Sequence, residues 1–171
     1  MKSIVLDSTQ IENKIIRLAH QVHENNFDVS SLAIIGLNER GKILAEKIKD
    51  ILMHVYGGEI VLLHLHAKRN EEKEVEIALE DMAPFDALKN QTLILIDDVV
   101  DSGQTLMFAA SFLLQFHPAQ MQTLALIDRN HRKFPIQVNY VGHKVATTLH
   151  ERVKLEIAGV KGAEQTLAFL I

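Results

Sequence analysis

The apolar run Thr92-Leu93-Ile94-Leu95-Ile96 restricts the fold of this chain more than any other feature of the sequence. A strand with one face in water alternates apolar and polar residues, so a run that is apolar at successive positions predicts a strand covered on both faces. Further strands are predicted at 31–35, 59–66, 121–127, 138–141, 153–157 and 166–170, and helices at 8–24, 43–52 and 106–116. Strands that alternate with helices predict an α/β fold with a mostly parallel central sheet flanked by helices.

Composition and length bound the class of protein. One domain spanning residues 1–171 is expected, and the 47% of hydrophobic and 23% of charged residues are typical of a soluble globular protein. No apolar run approaches the roughly 20 residues of a membrane span, and the first residues lack the apolar stretch of a signal peptide. We therefore expect a cytoplasmic protein with no membrane partner. The net charge of −4 argues against a dedicated nucleic-acid binder, which normally carries a basic excess.

The segment from Asp97 to Thr105 carries the polar residues that indicate chemistry. It follows the apolar run and precedes a predicted helix, and ligands of open α/β sheets bind beyond the carboxyl ends of the strands. Gly103 permits close approach of the backbone, and the amide groups at the start of the helix can hold a phosphate. The adjacent carboxylates of Asp97 and Asp98 would repel that phosphate, so we expect them to face ribose hydroxyls or a hydrated Mg²⁺. The pattern fits a ribose 5-phosphate lying along the segment.

Two other interpretations use the same residues. Acidic residues that merely end a strand, followed by a turn at Ser102-Gly103, are common in proteins, and the spacing alone does not distinguish them from a ligand site. A phospho-acceptor receiver domain also places paired acids after an apolar strand, but there the pair follows the first strand. Several predicted elements precede Asp97, which disfavours that class of domain.

The stretch from Leu93 to Leu106 resembles the phosphoribosyl-pyrophosphate signature of type I phosphoribosyltransferases. More narrowly, most of the chain is similar to the bacterial pyrimidine-operon attenuation regulators, which are also uracil phosphoribosyltransferases. The stretches that carry this similarity are Leu6-Asp7 with Arg17-Leu18-Ala19-His20, residues 34–41 and residues 126–136. The resemblance implies the type I phosphoribosyltransferase fold, in which a small hood covers the site. The chain ends would form that hood, with residues 67–91 as a flexible loop in which residues 74–80 could form a short hairpin.

The same resemblance implies a Mg²⁺-dependent reaction in which a nucleobase displaces pyrophosphate from 5-phosphoribosyl-1-pyrophosphate. Asp97 and Asp98 match the acidic pair that addresses the ribose hydroxyls and, through water, the metal, and Asp98 and Asp101 are the expected catalytic residues. The expected donor-binding residues also include Asp101, Ser102, Gly103, Gln104 and Thr105 around the 5-phosphate and Glu39, Arg40 and Gly41 in a loop that binds pyrophosphate. The family also implies a homodimer or larger homo-oligomer.

The residues expected to contact the base are Tyr140, Val141 and Asp128. Tyr140-Val141 matches the position where an aromatic ring stacks on the base in related purine enzymes, although a tyrosine there could instead pack under the loop. Asp101 stands where the regulators carry tyrosine and is typical of hypoxanthine-guanine enzymes, in which the acid assists proton transfer. Asp128 replaces a lysine of those purine enzymes and fits the regulators. These clues conflict, and uracil is slightly favoured over a purine.

Further departures bear on activity and on regulation. Gln104 replaces an arginine of the regulators, and residues 66–70 lack the Arg-Asp pair that the family carries after the third strand. The alternative function is that of an RNA-binding attenuation regulator that uses the donor site as a sensor. Arg17 and His20 match the RNA face of the family, whereas Ile16 replaces a polar contact. Other basic residues that could add charge are Arg132, Lys144, Arg152 and Lys154.

Overall fold

The computed structural model describes residues 3–70, 75–80, 87–146, 151–158, 160 and 162–171. The elements in these residues follow the order β1 (Ser3–Leu6), α1 (Ser8–Asn25), β2 (Ser31–Leu37), α2 (Asn38–Val55), β3 (Glu59–Arg69), β4 (Val75–Leu79), β5 (Thr92–Val100), α3 (Gln104–Leu114), β6 (Gln120–Asp128), β7 (Tyr140–Lys144), β8 (Val153–Glu156) and β9 (Leu167–Leu170). Within this part of the chain, no helix has the length and apolar character needed to span a membrane.

A six-stranded sheet with the order β4-β3-β2-β5-β6-β7 forms the centre of the fold. β2 pairs in parallel with β3 and β5, β5 with β6 and β6 with β7, while β4 runs antiparallel to β3. The prediction of an α/β fold with a mostly parallel central sheet is confirmed. Because parallel strands end at the same edge of a sheet, the segments that follow β2, β5 and β6 meet there.

The central strands bury both faces, as their apolar runs predicted. Leu93 and Leu95 pack on one side with α3, while Ile94 and Ile96 pack on the other side with α1 and α2. All four side chains have no solvent exposure. Each large apolar side chain contributes about 1.5–3 kcal/mol when it is fully buried, so these strands anchor the sheet edge at which the polar residues lie.

The two chain ends form a second sheet, named here the hood sheet, with the order β1-β9-β8 and antiparallel pairing. The segment 67–91, expected to be a loop with a possible hairpin at 74–80, contains strand β4, which pairs with the end of β3 at Leu65–Arg69. Backbone pairing of these strands satisfies amide and carbonyl groups that a loop would leave to water. Residues 71–74 and 81–86 of the segment lie outside the described residues.

Candidate functional site

The first turn of α2 lies directly against β5. Gly36 in β2 pairs with Ile96 in β5, and a Cβ atom on Gly41 would lie 2.8 Å from the carbonyl oxygen of Ile96. Only glycine fits at residue 41, because its backbone touches the neighbouring strand. The loop expected at 39–41 is absent from the structure. Helix α2 begins at Asn38, whose φ of 58° lets the chain pass from strand to helix without a connecting segment.

The acidic pair places its two carboxyl groups in different surroundings. The side chain of Asp98 is 16% exposed, and its Oδ2 lies 3.5 Å from Nη1 of Arg40. Asp97 is buried, and its Oδ1 accepts a hydrogen bond from the Asp98 amide at 2.9 Å. Burial, together with the charge of the Asp98 carboxylate, raises the pKa of Asp97 well above its usual value. The structure therefore brings Asp98 and Arg40 together at the sheet edge and leaves Asp97 largely buried.

A cavity of about 110 Å³ lies between the end of β5 and the start of α3. Strand β5 extends to Val100, further than predicted, and the chain bends over residues 101–103 before α3 begins at Gln104. Gly103 has a left-handed φ of 82°, and a Cβ atom there would lie 2.6 Å from Cγ2 of Ile136. The cavity opens on the N-terminal turn of α3, where the helix favours an anion. Its lining includes all the predicted phosphate-binding residues, Asp101, Ser102, Gly103, Gln104 and Thr105, together with Asp97.

The loop between β6 and β7 holds the residues beside this cavity. Nη1 of Arg129 lies 2.9 Å from Oδ2 of Asp101, and Nδ1 of His131 lies 3.6 Å from the other carboxylate oxygen. Nη1 of Arg132 donates to the Asp101 carbonyl at 2.7 Å. The sequence did not assign Arg129 and Arg132 to the site. The signal that indicates them is their position directly after β6, a strand that ends beside β5.

Both carboxylate oxygens of Asp128 contact residues of the same loop. One of its carboxylate oxygens accepts a hydrogen bond from the Asn130 amide at 2.7 Å, and the other lies 2.9 Å from Nη2 of Arg132. The residue is 5% exposed. The predicted contact of Asp128 with a base does not fit this placement, because both oxygens already hold the loop that follows β6.

Tyr140 and Val141 lie at the start of β7, the outermost strand of the sheet, and Val141 is level with Asp97 through Ala125. Tyr140 pairs with Leu124, which in turn pairs with Ile96. The ring is 4% exposed in the core that α1 covers, and its hydroxyl donates to Oε1 of Gln122 at 2.7 Å. Val141 packs in the core on the opposite face. The prediction that Tyr140 stacks on a base is therefore wrong, and its alternative, packing inside the protein, holds.

A basic cluster, defined as Lys14, Arg17 and His143, lies at another surface. Lys14 and Arg17 both donate to the carbonyl oxygen of Gly142, at 3.2 and 2.8 Å. Burial, with the charges of Lys14 and Arg17, lowers the pKa of His143, and burial with the charge of Arg17 lowers that of Lys14. His20 is exposed one helical turn after Arg17. Of the residues expected to add charge to this surface, Arg132 is instead engaged beside the phosphate cavity.

The residues at the sheet edge fit a magnesium ion in one mode only. In the part of the chain that the structure describes, no group of three or more histidine, aspartate or glutamate side chains is arranged to hold a metal. Mg²⁺ commonly binds through one or two carboxylates together with substrate phosphates and water. The partly exposed carboxylate of Asp98 suits that mode, and the carboxyl group of Asp97 is buried next to it in the chain.

Comparison with known proteins found one matching family and several relatives of similar length. A family model described as a phosphoribosyl transferase domain matches residues 2–156. The bifunctional protein PyrR of Deinococcus radiodurans is 35% identical, with 95% of this chain and 92% of that protein covered. The bifunctional protein PyrR of Clostridium acetobutylicum is 28% identical, with 94% of this chain and 93% of that protein covered.

Solved structures share the fold at lower identity. A hypoxanthine-guanine phosphoribosyltransferase from Bacillus anthracis superposes with a TM-score of 0.70 at 19% identity, over 84% of each chain. A hypoxanthine phosphoribosyltransferase from Trypanosoma cruzi superposes with a TM-score of 0.76 at 14% identity, over 96% of this chain and 92% of that one. These structures show that the chain shares the fold of these phosphoribosyltransferases.

Proposed function

The chain belongs to the phosphoribosyl transferase domain family and is a phosphoribosyltransferase, and we propose that it joins a nucleobase to 5-phosphoribosyl-1-pyrophosphate with release of pyrophosphate in a Mg²⁺-dependent reaction. Uracil is the base we favour, because residues 126–136 are similar to the pyrimidine regulators. A purine is the alternative, because Asp101 is the acid typical of hypoxanthine-guanine enzymes.

The observation that carries this proposal is the meeting of Arg40, Asp98 and the phosphate cavity at one sheet edge. The cavity at the start of α3 is suited to the 5-phosphate. Asp98 lies near the end of β5, before the residues of the cavity in the chain, and its carboxylate can accept hydrogen bonds from ribose hydroxyls. Arg40, 3.5 Å from Asp98, adds a cation that can bind phosphate oxygens at the other end of the sugar. The order phosphate, sugar, pyrophosphate is the order of groups in the proposed donor.

In the proposed reaction, a base nitrogen forms a bond to C1 of the ribose as the bond from C1 to the pyrophosphate oxygen breaks, and the electron pair leaves with pyrophosphate. Positive charge develops on the ribose ring. The Asp98 carboxylate stabilises that charge from a fixed position, and Arg40 stabilises the negative charge that collects on the leaving group. Bound Mg²⁺ would neutralise the pyrophosphate further, and Asp98 would hold the ion through water.

Asp101 is the proposed acceptor of the proton that the incoming base loses. Its side chain is 49% exposed, and Arg129 and His131 approach its two oxygens. These contacts fix the direction of the carboxylate, and a general base must lie within hydrogen-bond reach of the proton that it takes. Asp101→Asn should lower kcat measured at saturating donor and base. An Asp101→Asn enzyme with an unchanged kcat would exclude this role.

The substrate assay offers uracil, hypoxanthine, guanine, xanthine and adenine in turn with the donor and Mg²⁺, and measures pyrophosphate release. We expect turnover with uracil, and we expect Asp98→Asn to lower kcat at least about a hundredfold because it removes one preorganised charge. Asp50→Asn is the matched control, since Asp50 is exposed on α2. The enzyme proposal fails if the chain binds the donor and turns over none of these bases.

The basic cluster favours a second candidate function, the binding of pyrimidine-operon leader RNA. Lys14 and Arg17 share one carbonyl acceptor and face a surface cavity with His143, which concentrates positive charge on a chain whose net charge is −4. Phosphate binding there should weaken as salt rises. We expect Arg17→Ala and His20→Ala to reduce RNA affinity and the salt slope, and Lys47→Ala to leave both unchanged. Equal affinity in all three variants would exclude this surface.

We also propose that the chain acts in the cytoplasm as a homodimer or larger homo-oligomer. The resemblance to the regulators supports both statements. Light scattering on the purified chain measures the assembly directly, and a monomer at micromolar concentration would overturn that part of the proposal.

A further inference from the structure

A second cavity, of about 190 Å³, separates the hood sheet from the first turn of α2. Arg40 lines it from the side of α2, and Lys154 and Glu156 line it from β8. Ile157 and Gly162 close it toward the chain end. Arg40 also contacts Asp98 at 3.5 Å, so this cavity continues from the sheet edge that carries the proposed donor site.

Lys154 is held at the wall of this cavity by two contacts. Its Nζ lies 3.2 Å from Oε1 of Glu156 and 5.8 Å from the centre of the Phe169 ring in the neighbouring strand β9. The side chain is 45% exposed and that of Glu156 is 31% exposed. Exposed ion pairs of this kind contribute little to stability, so an incoming anion can replace Glu156 as the partner of the ammonium group.

The charges on the two walls suit an extended anion. Arg40 and Lys154 place a cation on each side, one from the core of the fold and one from the hood sheet. The cavity at the start of α3, on the other side of Asp98, is the proposed site of the 5-phosphate. A second anionic group on the far side of the sugar would therefore lie between these two cations.

We propose that Lys154 is a further binding residue for the pyrophosphate group of the donor, which it contacts from the hood sheet opposite Arg40. This inference rests on the proposed function. It makes Lys154 a specificity-determining residue, because ribose 5-phosphate, which lacks the pyrophosphate, has no group to place between the two cations. Glu156 is then the ion-pair partner of Lys154 in the absence of the donor.

The test is calorimetric titration of the full chain with 5-phosphoribosyl-1-pyrophosphate, inorganic pyrophosphate and ribose 5-phosphate, each with Mg²⁺. Lys154→Met should weaken binding of the first two about tenfold, as expected for loss of one hydrogen bond to a charged group. Binding of ribose 5-phosphate should not change, and Lys154→Arg should restore most of the lost affinity. Lys47→Met is the matched control, since Lys47 is 42% exposed, pairs with Glu12 at 3.4 Å and does not line this cavity.

Each other outcome overturns the inference in a recognisable way. Equal weakening of all three ligands by Lys154→Met would mean that Lys154 only supports the hood sheet, and a thermal melt of the variant would show the accompanying loss of stability. Unchanged affinity for the donor would exclude the contact while leaving the proposed function intact. An unsubstituted chain that binds neither the donor nor pyrophosphate would overturn the inference and the proposed function together.

Discussion

Asp97 and Asp98 show how adjacent positions in one strand give identical side chains different chemistry. Successive residues of a strand point to opposite faces. Asp98 points to the site with Arg40, while Asp97 is buried and its pKa is raised, first by burial and then by the charge of Asp98. Asp97 instead lines the phosphate cavity at the start of α3.

The raised pKa of Asp97 predicts a pH-dependent stability. Below the usual aspartate pKa of about 3.9 the carboxyl group is protonated in both states, and the fold keeps its full stability. As the pH rises toward the higher pKa of the folded state, ionisation favours the unfolded chain and the free energy of unfolding falls. Asp97→Asn cannot ionise, so its unfolding free energy relative to the unsubstituted chain should increase as the pH rises above about 4. Urea unfolding at several pH values measures this trend, with the exposed Asp50→Asn as control. A difference that is constant with pH would contradict the assignment.

Tyr140 provides a second prediction at this scale. Its hydroxyl joins a buried hydrogen-bond network with Gln122 and Asn26, and Tyr140→Phe removes its bond from this network while Gln122 and Asn26 stay bonded to each other. We expect a loss of about 0.5–1.5 kcal/mol in the free energy of unfolding and an unchanged KM for the base. Chemical denaturation and steady-state kinetics measure the two quantities. A raised KM at unchanged stability would instead return Tyr140 to the base site.

Such residues mark the limit of prediction from the sequence. The apolar run at 92–96 predicted the strand and its double burial, and the resemblance located the acids. The phase of burial at Asp97 and Asp98 could not be predicted, because a run apolar on both faces does not indicate which face the next side chain joins. Tyr140 was misassigned for a related reason: its partners Asn26 and Gln122 are 96 residues apart and come together only in the fold.

At the scale of elements, each helix that reaches the site begins with a residue in a left-handed conformation. Asn38 at the start of α2 has a φ of 58° and Gly103 before α3 has a φ of 82°. At Asn38 the chain passes from β2 directly into α2, and Gly103 ends the three-residue bend 101–103 between β5 and α3. The N-terminal turns of α2 and α3 therefore lie against the end of β5. The sequence predicted loops at these places because asparagine and glycine are typical turn residues, and it could not show that α2 begins without a connecting segment.

Gly103→Ala tests this arrangement. The left-handed conformation costs alanine about 1–2 kcal/mol, and the alanine Cβ would lie 2.6 Å from Cγ2 of Ile136. We expect lower stability and weaker donor binding, since the start of α3 must move. Gly57→Ala is the control, because no atom lies within 4 Å of a Cβ there. Adding Ile136→Ala to Gly103→Ala should recover part of the stability. Identical melting temperatures for Gly103→Ala and Gly57→Ala would show that α3 starts differently.

At the scale of the whole molecule, the proposed site lies between two sheets of different origin. The central sheet and its helices supply the phosphate cavity, Asp98 and Arg40, while the hood sheet, built from both chain ends, supplies Lys154. A ligand that reaches only the phosphate cavity contacts the central sheet alone. The complete donor contacts both sheets, so it should link their stabilities.

Hydrogen exchange with and without ligand measures this linkage. At a concentration of a hundred times Kd, a ligand stabilises the fold by about 2.7 kcal/mol, and the protection should appear wherever the ligand joins structural units. We expect 5-phosphoribosyl-1-pyrophosphate to slow exchange at the start of α3 and also in the paired strands β8 and β9, which carry Lys154 and Phe169. Ribose 5-phosphate at the same multiple of its Kd should protect α3 without the hood strands. If both ligands protect the same amides, the hood sheet takes no part in holding the pyrophosphate, and the two-sheet site is excluded.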